Sequence, residues 1–198
     1  MANRSYLYST NVIPGSAVQK ENRRQLGISE WNYDIPLVYK LLLSGQTRAC
    51  RSSIWESPGE IAALGDYAQG LARLEGFLAE IVHPAARPLV AEALEFLTRD
   101  RNHNPYFLLE CVEICEMSND PVVDQNAGLI DEINNLEPEI LHARSVLSAL
   151  STKRQNAFLK LVGAKENSGV HAIDPLEPIR DLGLGNWSNV LYFHFDDA

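Results

Sequence analysis

The spacing of apolar residues divides the chain into a helical middle and two strand-like ends. From Ile61 to Ile81, apolar side chains recur every three or four residues, which predicts a helix with one buried face. Ser57-Pro58-Gly59-Glu60 stands just before it and has the pattern of a capping box, with serine at the cap and glutamate three residues later. The predicted helical body covers about residues 57–163, and its further helices begin near Pro88, Asn104, Asp120 and Pro138.

The two ends of the chain alternate between faces, as strands do. Residues 5–9 place Tyr6 and Tyr8 on one face, and residues 190–195 place Leu191, Phe193 and Phe195 on one face. Two aromatic strands at opposite ends of a helical chain predict pairing between them. We therefore expect an α+β fold that is mainly helical, with a small antiparallel sheet formed by the N- and C-terminal strands, in a single domain over residues 1–198.

Charge is distributed unevenly along the chain. The formal net charge is -9, from 26 acidic and 17 basic residues. No lysine or arginine lies between Arg101 and Arg144, so this interval alone accounts for the excess of acids. Such segregation creates a negative potential that steers a basic partner, although a solvated helical face is the simpler interpretation. The candidate partner-binding residues are Glu110, Glu113, Glu116, Asp120, Asp124, Asp131, Glu132, Glu137 and Glu139.

Composition excludes several classes of function. A sequence pI near 5.0 disfavours direct binding of nucleic acid or of an anionic membrane, because both depend on clustered lysine and arginine. No apolar run approaches the roughly 20 residues that a membrane span needs, and the first residues lack the apolar segment of a secretion signal. Three cysteines do not suggest a disulfide framework. These features lead us to expect a cytoplasmic protein.

Known catalytic motifs are absent from the sequence, and we expect neither an enzyme nor a cofactor. Glu80 and His83, and likewise Glu139 and His142, have the Glu-x-x-His spacing found in di-metal carboxylate bundles, with ordinary core packing as the alternative. Cys111 and Cys115 are four residues apart among apolar neighbours, as buried thiols commonly are. Cys50 has arginine neighbours but no histidine nearby in sequence. Trp31, Tyr33 and Trp55 lie in turn-rich segments, where both core and interface roles stay open.

Four stretches of the sequence resemble an uncharacterised bacterial family. They are Met1-Ala-Asn-Arg-Ser-Tyr-Leu-Tyr-Ser9, Gly27-Ile-Ser-Glu-Trp-Asn-Tyr-Asp-Ile-Pro36, Cys50-Arg-Ser-Ser-Ile-Trp55 and Trp187-Ser-Asn-Val-Leu-Tyr-Phe193. We associate that family with immunity proteins of type VI secretion and polymorphic toxin systems. The resemblance implies a protein that binds one cognate toxin tightly, and it assigns no role to any residue.

The implied function agrees with the charge pattern. An immunity protein needs a stable fold and a complementary face rather than a catalytic group. Toxins that cut DNA or RNA tend to be basic, so an acidic face could imitate the phosphates that they bind. We therefore expect an immunity protein that neutralises a basic nuclease toxin. The alternatives are a general adaptor module and, more remotely, a di-metal carboxylate enzyme.

Overall fold

A computed structural model describes residues 3–17, 22–148 and 177–194. Strands and helices are mixed along the chain rather than segregated. In order they are β1 Arg4–Thr10, β2 Gln25–Asn32, α1 Leu37–Leu43, β3 Arg48–Cys50, β4 Ala62–Asp66, α2 Tyr67–Ala79, α3 Arg87–Leu97, β5 Tyr106–Glu110, α4 Val112–Cys115, α5 Val122–Asn134, a helix α6 described over residues 137–148, and α7 Glu177–Arg180. Short 3-10 turns occupy Pro84–Ala86 and Asp100–Asn102.

One five-stranded antiparallel sheet forms the centre of the fold. Its strand order is β2-β1-β5-β4-β3, so β1 lies between β2 and β5. Leu7 of β1 stands opposite Leu109 of β5, and Leu109 in turn stands opposite Ala63 of β4. The expected small sheet of terminal strands, in a mainly helical chain, was therefore wrong. The N-terminal strand is confirmed, but its neighbours come from the middle of the sequence.

The expected C-terminal strand does not form within residues 190–194, and Phe195 lies outside the described residues. The segment before it runs beside the edge strand β2 instead. Ser29 and Trp187 form an isolated antiparallel bridge, and Ser188 donates its amide N–H to the Ile28 carbonyl at 3.0 Å. This segment covers part of a sheet edge that would otherwise offer unpaired backbone groups.

Two segments of the predicted helical body are strands. The apolar run Ala62–Asp66 is β4, and the helix begins after it, where Asp66 caps α2 by accepting the Gln69 amide at 2.9 Å. Ser57 instead accepts the Gly59 amide inside a loop. Tyr106–Glu110 is β5, although acids three residues apart had favoured a helix there. Residues 149–163, the end of the predicted body, lie outside the described residues.

The helices cover one face of the sheet and form the larger apolar core. Leu7, Phe107 and Leu109 project from that face towards α1, α2, α3 and α5. Six of the seven residues of α1 are buried, and a fully buried leucine contributes about 2 kcal/mol to folding. Lys40 is the exception, and its ammonium group lies at the edge of this core.

The opposite face carries a smaller cluster that contains Tyr6, Tyr8 and Leu108. It is covered by the loop between β3 and β4 and by the C-terminal segment. Trp55 of the loop lies 5.4 Å from Phe193 between ring centroids, and the Tyr8 hydroxyl donates to the Phe193 carbonyl at 2.7 Å. The two polypeptide layers over this face are therefore in contact with each other.

Candidate functional site

The nine acids of the predicted binding face fall into different environments. Glu110 is completely buried and does not contribute to any surface, so that part of the prediction was wrong. Glu113 and Glu139 are half-buried, and the exposed members are Glu116, Asp120, Asp124, Asp131, Glu132 and Glu137.

Three of the more C-terminal acids are paired with cations. The Lys40 ammonium contacts Glu132 at 3.3 Å and Glu139 at 3.0 Å, and Arg144 lies 3.6 Å from Glu137. Burial opposes the charge on Lys40, but its two carboxylate partners raise its pKa overall. These pairs join α1 and α6 to the end of α5. They reduce the negative potential over this part of the predicted face.

Glu113 has a structural role. Its Oε2 accepts the Arg4 backbone N–H at 2.9 Å and its Oε1 accepts the Tyr6 hydroxyl at 3.1 Å. Both donors belong to β1, so Glu113 ties the short helix α4 to the central strand. A substitution at Glu113 would change packing as well as charge.

Four acids have no ion pair within the described part of the chain: Glu116, Asp120, Asp124 and Asp131. The first three surround the connection between α4 and α5. Gln125 holds this connection in place by donating to the carbonyls of Cys115 at 3.0 Å and Asp120 at 2.7 Å. Met117 and Val123, with 56% and 45% of their surface exposed, lie at the same connection. Apolar side chains among unpaired carboxylates are suited to protein binding.

The loop between β3 and β4 adds acids that sequence reasoning missed. Asn126 of α5 donates to the carbonyls of Glu60 at 3.0 Å and Ala62 at 3.1 Å, and Val123 packs against Gly59. Glu56 and Glu60 are exposed on this loop and likewise have no ion pair within the described residues. They are about 60 residues from α5 in sequence, so only the fold brings them close. We call Glu56, Glu60, Glu116, Asp120 and Asp124, with Met117 and Val123, the acidic surface.

Glu110 anchors the same loop from inside. Its Oε1 accepts the Ser53 amide at 2.6 Å and the Ser53 hydroxyl at 2.8 Å, while Gln25 donates to Ser53 Oγ at 2.8 Å. Its Oε2 is buried and has no hydrogen-bond partner. Burial raises the pKa of Glu110, and the hydrogen bonds from Ser53 and Ser52 only partly offset this.

The loop also encloses a cavity of about 670 Å³, lined by Gly15 and residues 51–58. Ser53 forms part of its wall, which places the Glu110 carboxyl group directly behind that wall. Trp55 and Glu56 line it as well, and Arg51 lies on the Gly15 side. A cavity beside a buried, incompletely bonded carboxylate is a plausible binding site in physical terms.

The other candidate groups have structural surroundings. Burial, and secondarily the charge of Glu110, raises the pKa of Cys50 to about 12, so its thiol stays protonated at neutral pH. Cys111 and Cys115 are buried, as the core interpretation predicted. Glu80 is paired with Arg144 at 2.6 Å, and Glu139 with Lys40, so the two Glu-x-x-His motifs do not converge. Within the described residues, no three potential ligands lie close enough to hold a metal ion.

The three aromatic residues of uncertain role are now placed. Trp31 and Trp55 are half-buried and pack against the two apolar clusters. Tyr33 is 59% exposed and adopts a left-handed backbone conformation with φ 62°. Among the described helices none is long and apolar enough to cross a membrane.

A family model described as a domain of unknown function (DUF7822) matches residues 11–153, and the chain belongs to this family. No curated protein matches the chain, and no solved structure matches it. The matched region contains the loop, the cavity and the whole acidic surface. It begins directly after β1 and ends before the C-terminal segment.

Proposed function

We propose that this protein is an immunity protein that neutralises a basic bacterial toxin by binding it, in the cytoplasm, on the acidic surface. The observation that supports this is the arrangement at the α4–α5 connection. Glu116, Asp120 and Asp124 are exposed there without ion pairs, and Met117 and Val123 are exposed among them. Carboxylates give long-range attraction and orientation, while the apolar pair gives area to bury on contact.

A nuclease effector of a type VI secretion system is the partner that fits this surface best. A nuclease must hold phosphates, so its active face carries lysine and arginine. Five carboxylates on one surface, two from the loop and three from the α4–α5 connection, offer such a face a substitute for phosphate groups. Binding alone would then block the toxin, and the immunity protein would need no catalytic group.

The first experiment is to purify the tagged protein from its own host and identify what remains bound by mass spectrometry. We expect one stoichiometric partner with a basic, nucleic-acid-cleaving domain. Capture of several unrelated acidic proteins would instead indicate an adaptor and would contradict the proposal.

The second experiment tests the surface itself. The double substitution Glu116→Lys and Asp124→Lys should slow association with the captured partner about tenfold at low salt and weaken its salt dependence. Stopped-flow or surface-based kinetics over a range of salt concentrations would measure both effects.

A matched control comes from the helical side of the molecule. Glu75 of α2 and Glu92 of α3 are exposed and have no ion pair among the described residues. Replacing both by lysine changes the net charge by the same amount as the test pair. Equal slowing in the two double variants would show that only net charge matters, and would exclude the acidic surface as the binding site.

A further inference from the structure

The cavity beside the acidic surface has an electrostatic character of its own. Among its lining residues Glu56 is negative and Arg51 positive, and the buried Glu110 stands behind the Ser53 wall. Glu110 is 0% exposed, its Oε2 has no hydrogen-bond partner, and no cation pairs with it among the described residues. An ionised carboxylate in this environment is poorly compensated, so its field extends into the cavity with little screening.

The backbone of the loop is not arranged to bind an anion. Anion sites in loops use several free amide N–H groups that point to one place. Here the amides of Ile54 and Trp55 are bonded to Ser52 Oγ at 3.0 and 2.8 Å, and the amide of Gly59 to Ser57 Oγ at 3.1 Å. The amide of Ser53 is bonded to Glu110. These donors are already used, which favours a cationic ligand.

Trp55 supplies a surface on which a planar cation can rest. Its ring is half-buried and is supported by Tyr6 and Phe193, with centroid distances of 6.2 and 5.4 Å. Guanidinium groups stack on tryptophan more readily than ammonium groups do, and the contact strengthens when water is excluded.

The cavity also continues the acidic surface. Ser57 and Pro58 form part of its wall, and the next residue, Gly59, packs against Val123. A protein that lies across Met117 and Val123 would therefore have the cavity within reach of a protruding side chain. We propose that the cavity receives an arginine side chain of the basic partner, which stacks on Trp55 and faces the carboxylates of Glu56 and Glu110. This inference rests on the proposed function.

A small-molecule probe tests the cavity directly. The probe is N-acetyl-arginine amide, and its matched control is N-acetyl-citrulline amide, which has nearly the same shape without the charge. We expect saturable shifts of the Ser53 and Trp55 backbone signals and of the Trp55 indole N–H signal in ¹⁵N NMR spectra. Affinity for the arginine probe should be about tenfold higher than for citrulline, equivalent to about 1.4 kcal/mol. Equal affinity for both probes would overturn the inference.

Two substitutions should act in opposite directions. Glu110→Gln keeps an oxygen that accepts from Ser53 but removes the charge, so it should weaken binding of the arginine probe about fivefold. Arg51→Gln removes the competing cation and should strengthen binding by a similar factor. If Arg51→Gln weakened binding and Glu110→Gln strengthened it, the cavity would be an anion site and the proposal would be wrong. Glu75→Gln, on the far helical side, should leave the affinity unchanged.

Failure of this inference is distinguishable from failure of the proposed function. If the captured toxin binds Glu110→Gln and Trp55→Ala variants as tightly as the native protein, the acidic surface stands and the cavity inference falls. If the arginine probe binds as expected but no basic protein is ever captured, the cavity is a cation site and the immunity function falls.

Discussion

Glu110 is a carboxyl group that the fold buries without a compensating cation among the described residues. Desolvation is the largest influence on its pKa and raises it, while the hydrogen bonds from Ser53 and Ser52 act in the opposite direction. The folded protein therefore retains this proton to a higher pH than the unfolded chain does. The stability it contributes is complete below the unfolded pKa, about 4.3, and is lost as pH rises through the folded pKa.

Replacing Glu110 by glutamine should stabilise the protein at pH 7. The amide oxygen can still accept from Ser53, and no charge is buried, so we expect a gain on the order of 1 kcal/mol. Urea unfolding at pH 7 and at pH 4 would measure it, and the gain should shrink at the lower pH because native Glu110 is then neutral too. Glu75→Gln serves as the exposed control. A less stable Glu110→Gln protein at pH 7 would mean that the ionised carboxylate is well satisfied.

At the scale of single residues the sequence predicted the acidic surface only in part. The exposure of Asp124 follows from its place on the polar side of α5, whose buried residues are Asn126, Leu129 and Ile133. The burial of Glu110 does not follow, because its side depends on which strands pair. The pairing of Lys40 with Glu132 and Glu139 joins residues about 90 positions apart, which no local pattern reveals.

At the scale of elements, long periodic segments were predictable and short apolar runs were not. The helices after Pro88 and Asp120 are confirmed as α3 and α5, since each shows several turns of one-sided apolar spacing. Ala62–Asp66 and Tyr106–Glu110 have only five residues each, and such runs suit a buried strand or a buried helix equally. Both are central strands covered on each face, which removes the alternation that would identify them.

The contact between α1 and α2 depends on one glycine of α2. A Cβ at Gly70 would overlap the backbone carbonyl of Leu42, whereas a Cβ at Gly76 would meet nothing within 4 Å. Gly70→Ala should therefore destabilise the protein by about 2 kcal/mol or more, because backbone must move to make room. Gly76→Ala should stabilise it by up to about 1 kcal/mol through helix propensity.

Urea unfolding of the two variants measures this difference in one helix with one chemical change. Similar effects of both substitutions would show that α1 and α2 are not in close backbone contact. The glycines of this segment were predicted to allow close packing by a neighbouring helix, and Gly70 does so. Gly65 also meets the α1 backbone, at Leu43, but it does so from β4 rather than from the helix.

At the scale of the whole molecule, the family match and the sheet do not have the same boundary. The matched region begins at residue 11, but β1 ends at Thr10 and is the middle strand of the five. Without β1, the strands β2 and β5 would each lose a neighbour, and buried Leu7 would leave the larger core. The region matched by the family model is therefore not expected to be the smallest folding unit.

A chain that starts at Asn11 should fail to fold cooperatively. Removing a central strand leaves unpaired backbone groups on both sides of the gap and a channel through the core, a loss larger than the marginal stability of most domains. Circular dichroism during urea unfolding would show no sigmoidal transition. Adding a synthetic peptide of residues 1–11 should restore it by filling the gap, whereas the same peptide with Leu7→Asp should not. Cooperative unfolding of the shortened chain alone would show that β2 and β5 pair without β1, and that the centre of the sheet is replaceable.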